Sequence, residues 1–184
     1  MVSKPRLFVV CITLFLLVGG LVSGCGEVDN TEIETVYDPC QRLALAPTSE
    51  LSDDERQSLE RAADMWREAA GLDLRVVDES VDEEAGEDDD PNIAIHFKTG
   101  PGMIHGYYED ASGQVVINSE LTGERAREVT IAHELGHAFG LHHVERSSRR
   151  SLMNKGNLET GITDSDVALL HDRWDQCSEG STES

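Results

Sequence analysis

Four histidines and one glutamate fall within fourteen residues of this chain, Thr130 to His143, in the run TIAHELGHAFGLHH. His133 and His137 are four positions apart, so on a helix their imidazoles stand on one face, a turn apart, and can share one cation. Glu134 sits beside that face. The pattern is H-E-x-x-H, in which two imidazoles hold zinc and the carboxylate serves as general base. Zinc lowers the pKa of water bound to it towards neutrality. A carboxylate beside it takes the water's proton as the water attacks a carbonyl, and later returns that proton to the leaving amine.

Two protein ligands are one short of the three that a catalytic zinc usually has. Gly140 supplies the means for a third, because glycine tolerates positive φ, ends the helix and lets the chain turn back. His143 then meets the metal from outside the helix. The full run is H-E-x-x-H-x-x-G-x-x-H with every named position filled, by His133, Glu134, His137, Gly140 and His143. His142 is offset from this spacing and reads as a surface residue or one that supports a ligand.

The chain therefore resembles a metzincin metalloprotease. Such enzymes carry a methionine turn after the third histidine, forming an apolar floor beneath the metal. Met153, in SLMN, stands in that place. The resemblance spans residues 40–177 and is specific at the zinc motif and the turn. It implies an α/β (α+β) zincin domain, with a twisted mixed sheet, a first helix, the zinc helix, the methionine turn and a last helix. It also implies a zinc endopeptidase acting on protein or peptide substrates as a monomer. His133, His137 and His143 are then the Zn2+ ligands and Glu134 the catalytic base. Some metzincins place a further tyrosine ligand two residues after the methionine. Lys155 occupies that position here, which brings the chain nearer to the matrixin-like branch. The competing expectation is a catalytically idle zinc-binding lipoprotein, serving as a binding or structural module.

Several elements have to position these groups. Ser52 and Glu55 form a capping box, Leu59, Ala62, Ala63, Trp66 and Ala70 recur at helical spacing, and Gly71 stops the run. LDLRVV (72–77) and NIAIHFKTG (92–100) alternate as strands, with Ile93, Ile95 and Phe97 on one face and His96 on the solvent-facing side. GMIHGYYED (102–110) reads as a glycine-loosened strand, in which His105 is either a cleft residue, a ligand of a structural metal or an ordinary loop histidine. GQVVINSEL (113–121) is a short strand after a turn at Gly113. The zinc helix starts near Thr122 or Glu124. The last helix, capped by Thr163 and Asp166, carries Val167, Leu170 and Trp174, with His171 near its apolar stripe in a structural role.

The amino-terminal residues have the layout of an export signal. Lys4 and Arg6 precede an apolar run from Leu7 to Val18, and Val22-Ser23-Gly24-Cys25 resembles the lipobox of bacterial lipoproteins. On that resemblance, residues 1–24 are a signal peptide and Cys25 carries lipid, anchoring the chain to a membrane surface of the cell envelope without spanning it. Secretion after an ordinary signal peptide is the alternative. Residues 25–39 read as a tether, 40–177 as the metalloprotease domain and 178–184 as a disordered tail.

Cys40 and Cys177 bracket the domain, and in an oxidising compartment they read as a disulfide. The rival role for Cys40 is a zinc-blocking cysteine. The formal net charge is −21, which disfavours nucleic acid and anionic lipid as partners. Residues 78–90 hold nine acids in thirteen and read as a solvated loop. A cation site is the alternative reading of that run, with Ca2+ as its ion, although no EF-hand pattern is present.

Overall fold

The computed structural model describes residues 33–77 and 91–174. The signal segment, Cys25, the acidic run 78–90, Cys177 and the tail lie outside the described residues. In chain order the elements are β1 (Leu43–Pro47), α1 (Asp53–Ala70), β2 (Leu74–Val76), β3 (Asn92–Lys98), β4 (Gly106–Glu109), β5 (Gln114–Asn118), α2 (Glu124–Ala138) and α3 (Asp164–Arg173). The fold is the expected mixed α/β architecture. The five strands form one sheet in the order β2-β1-β3-β5-β4, parallel except for β4, which runs antiparallel to β5 at the edge.

Helix α1 forms where its signals place it. The Ser52 hydroxyl oxygen accepts from the Glu55 backbone N–H, and the Glu55 carboxylate accepts from the Ser52 N–H at 2.9 Å. Gly71 closes the helix in the left-handed region at φ 70°. The face made by Leu59, Ala62, Ala63 and Trp66 is buried. Trp66 spans the core. Its Nε1–H donates to the Ala132 carbonyl of α2 at 3.0 Å, and its ring meets Phe139 edge-on at 5.4 Å. A buried tryptophan of this kind is worth on the order of 3–5 kcal/mol to the fold.

The first strand was not anticipated. β1 pairs in parallel with β2 on one side and with β3 on the other, with Leu45 opposite Val76 and Ile93, and all five of its residues are buried. The polar stretch read as a tether through Pro39 also differs from expectation over its last residues. The Glu34 and Thr35 N–H groups donate to Asp110, the Tyr37 N–H to the Ala138 carbonyl at 2.8 Å, and the Tyr37 hydroxyl to the Gly113 carbonyl. These bonds lash the segment across the β4–β5 turn and the end of α2. Tyr108 completes the lashing by donating its hydroxyl to the Thr35 carbonyl at 2.7 Å.

Helix α2 has no polar face over its second half, since every residue from Glu128 to Gly136 is buried. It lies between α1 and the β5–β4 side of the sheet. Two close approaches fix its depth. A Cβ at Gly136 would lie 2.5 Å from Met153 Sδ, and one at Gly106 of β4 would lie 2.8 Å from Thr130. Glycine at these two places lets the methionine turn and the edge strand press against the helix.

Candidate metal centre and active site

The carboxyl end of α2 builds the site. The Gly140 N–H donates to the His137 carbonyl at 2.8 Å and the Leu141 N–H to the Gly136 carbonyl at 2.9 Å, with Gly140 at φ 83°. This paired closure satisfies the last helical carbonyls and reverses the chain. A side chain at Gly140 would also collide with the Arg173 guanidinium. The reversal returns His143 to the face of His133 and His137. His143 Nε2 lies 3.3 Å from Nε2 of each of the other two.

That spacing suits a metal ion. Tetrahedral coordination at about 2.0–2.1 Å sets ligand nitrogens roughly 3.3 Å apart. The tautomers agree. His133 Nδ1 lies 2.8 Å from the Leu152 carbonyl and His137 Nδ1 2.7 Å from the Leu141 carbonyl. A carbonyl only accepts, so each Nδ1 carries the proton and each Nε2 presents a lone pair towards the shared point. Burial holds both imidazoles neutral, with His133 down at about 4 and His137 at about 3. The three histidines are the one such group of potential metal ligands among the described residues.

The methionine turn lies beneath. Met153 is fully buried against Gly136. The turn is held by Asp166, a fully buried carboxylate on α3. Asp166 accepts from the Ser151 hydroxyl, from the Leu152 N–H at 2.9 Å, and from the N–H and hydroxyl of Thr163 at 2.8 and 2.7 Å. The expected capping pair is therefore present. Its carboxylate also fixes Leu152, whose carbonyl orients His133. Asn157 donates to that same carbonyl at 3.1 Å. Neither contact was readable beforehand, because each joins residues whose spacing carries no local signal.

Glu134 is buried beside the histidines. Burial pushes its carboxyl up to about 8, and a hydrogen bond from the Tyr108 backbone works against that rise. A cation held by the adjacent imidazoles favours the ionised form and draws the value back down. A cleft of about 390 Å³ opens over the site. One wall is the edge strand and the residues before it, including Met103, Ile104, His105 and Tyr107; the other is Lys155, Gly156 and Asn157. His105 is thus a cleft residue.

Two other histidines depart from expectation. His96 is half-buried, not solvent-facing, with Nδ1 2.7 Å from the Thr48 hydroxyl. Thr48 directly follows β1, the strand that was not foreseen, and its pairing with β3 brings that hydroxyl beside the ring. His171 is exposed, although the residue before it, Leu170, is buried. Cys40 lies just before β1, and its expected partner Cys177 lies outside the described residues.

Comparison with known proteins agrees with this geometry. No match was found among curated proteins. Among solved structures, myroilysin aligns with a TM-score of 0.53 at 13% identity, over 76% of this chain and 86% of that one. Archaemetzincin from Methanopyrus kandleri aligns with a TM-score of 0.52 at 15% identity, over 74% of this chain and 96% of that one. At these identities the likeness shows the fold, which is metzincin-like. A family model, metallopeptidase family M12B reprolysin-like, matches residues 30–144, ending just past the third histidine. The matrixin-like branch draws no support from that match. With more than half of its length matched, the chain belongs to the reprolysin-like M12B metallopeptidase family.

Proposed function

We propose that this metallopeptidase is an exported zinc endopeptidase. The observation that carries the reading is the convergence of three imidazoles, with His143 Nε2 3.3 Å from that of each of the other two, beside a buried glutamate, on the floor of an open cleft. His133, His137 and His143 would hold the zinc, which when bound supplies Lewis-acid activation of water and of the scissile carbonyl.

The chain's own groups do the rest. The edge strand β4 has one side paired with β5 and lines the cleft with the other. An extended peptide can add there by main-chain hydrogen bonds. Such pairing requires no free terminus, which favours cleavage within a chain. Exposed Met103, Ile104 and Tyr107 offer apolar contact to substrate side chains. Glu134 accepts the proton of the attacking water and delivers it to the leaving nitrogen. Its burial strengthens its hold on the proton, and a cation held by the histidines tempers that rise so that the carboxylate form is available to accept it.

Digestion of a broad peptide library by the purified chain, with and without chelator, tests the reading. The expected result is chelator-sensitive cleavage at internal bonds. Absence of cleavage throughout the library would favour the idle zinc module instead.

The export features belong to the same proposal. Residues 1–24 are removed, Cys25 is lipidated, residues 40–177 form the catalytic domain, and Cys40 bonds Cys177. Closing a loop of that length is worth about 4–5 kcal/mol in the chain-entropy model. Intact-mass and non-reducing peptide mapping of the exported protein should show a lipidated amino terminus at Cys25 and a peptide linked between Cys40 and Cys177. A mature terminus elsewhere, or a free thiol at Cys177 in active protein, would refute the respective assignment.

A further inference from the structure

Beside the cleft lies a second cavity of about 490 Å³, and the two share Gly156 and Asn157 in their walls. Arg146 and Arg150 line it, with Asn154, Gly156, Asn157 and Glu159 among the other wall residues. The segment from Arg146 to Lys155 holds four cations and no acid, in a chain with 36 acidic residues and a net charge of −21. Lys155 carries the same charge onto the wall of the cleft itself.

These cations are not neutralised by carboxylates among the described residues, a property they share with Lys98, Arg127 and Arg173, but here four of them fall within ten residues. Arg42, Arg61, Arg67 and Arg125 each lie within ion-pair distance of a carboxylate. No ion pair among the described residues involves Arg146, Arg149, Arg150 or Lys155. Instead Arg146 Nη2 donates to the Gly156 carbonyl and Arg150 Nη2 to the Thr160 hydroxyl, both at 3.4 Å. Each bond engages one of the five N–H donors of a guanidinium. The remaining donors form the fork that matches a carboxylate. The platform beneath is fixed, since the Asn154 amide donates to the Val144 and Arg149 carbonyls at 2.9 and 3.2 Å. Glu159 is the single acid in the lining, against two arginines.

We propose that Arg146 and Arg150 form a specificity subsite that selects an aspartate or glutamate side chain of the substrate near the scissile bond. The inference rests on the endopeptidase reading and adds the class of substrate to it. An acidic peptide is repelled by most of this molecule's surface, so a local cationic platform beside the cleft also sets where on the protein it docks.

The test is a peptide series, identical except that each position flanking the cleaved bond carries Glu, Gln or Lys in turn. Two measurements run in parallel on zinc-loaded full chain. One is kcat/KM with the wild type, and the other is fluorescence-anisotropy affinity for the Glu134→Gln protein, which reads binding without hydrolysis. Glu should be favoured over Lys by about ten-fold or more at one position, and added salt should shrink the preference. The Arg146→Glu, Arg150→Glu double variant should reverse the order. Equal treatment of Glu and Lys at every position, in a protein that cleaves the series, overturns the subsite and leaves the peptidase reading standing. Cleavage of no peptide, with acid-selective binding that the double variant abolishes, overturns the peptidase reading and supports the subsite. Salt-dependent binding to phosphatidylglycerol vesicles without any peptide preference overturns it in favour of a membrane-facing role.

Discussion

Replacing Glu134 with glutamine should leave zinc bound and the fold intact while peptide hydrolysis falls by about 10²–10⁴-fold or more. Glutamine keeps the reach of the side chain and an oxygen to accept from the Tyr108 backbone, but it cannot take a proton. Zinc content by metal analysis and turnover on a cleaved library peptide are the paired measurements. Equal cleavage by wild type and variant would remove Glu134 from the role of base while leaving the metal site as it stands. A second, independent readout comes from the metal-free protein. The folded-state pKa of Glu134 is raised from 4.5 to about 8, so folding favours its protonated form. That contribution is complete below pH 4.5 and is lost as pH rises through about 8. The depressed values of His133 and His137 act oppositely and below their ordinary 6.5, where acidification destabilises the fold. Between these windows, from about pH 6.5 to 8, the metal-free wild type should lose thermal stability relative to Glu134→Gln.

The second large effect concerns the third ligand. His143→Ala should lower zinc affinity by more than about 100-fold, because losing even an outer-shell partner of a metal ligand costs about 10–100-fold. The variant should still fold. His143 lies beyond the closure of α2, and the bonds that make the closure are between backbone groups of Gly136, His137, Gly140 and Leu141. Competition with a chromophoric chelator measures the affinity, and thermal melting of the metal-free form monitors the fold. Undiminished affinity would mean that another group completes the site. His142, its neighbour in sequence, would then be the first residue to exchange for alanine.

Much of this arrangement was legible because its signals are local. The capping boxes at Ser52 and Thr163, the alternation in Asn92–Lys98 and the histidine spacing each depend on residues within a few positions of one another, and each element forms where those residues lie. β1 escaped because a strand paired on both sides and buried on both faces has no alternating pattern to read. Its Leu-Ala-Leu-Ala run also carries little strand propensity, and Pro47 reads as a strand end. His96 was misplaced for the same reason. Glu134 and the three histidines come from one short run of sequence. The groups that aim them, namely Leu152, Asn157, Tyr108 and Asp166, come from distant segments and become apparent only when the chain is folded. The charge of the second cavity was present in the residues from Arg146 to Lys155, but nothing in the sequence alone put them beside the cleft.

Asp166 has a consequence for how the molecule comes apart. A single buried carboxylate bonds the start of α3 to three successive residues under the metal site, through Ser151, Leu152 and Met153. Trp174 at the other end of α3 donates to the Phe139 carbonyl at 2.9 Å, just where α2 closes. Fraying of the last helix therefore cannot stay at the periphery. It uncovers a charge, releases the methionine turn and frees the carbonyl that orients His133. The carboxyl-terminal helix and the histidine cluster form one cooperative opening unit, so an ion held by the histidines lends its binding energy to a helix that contributes no ligand.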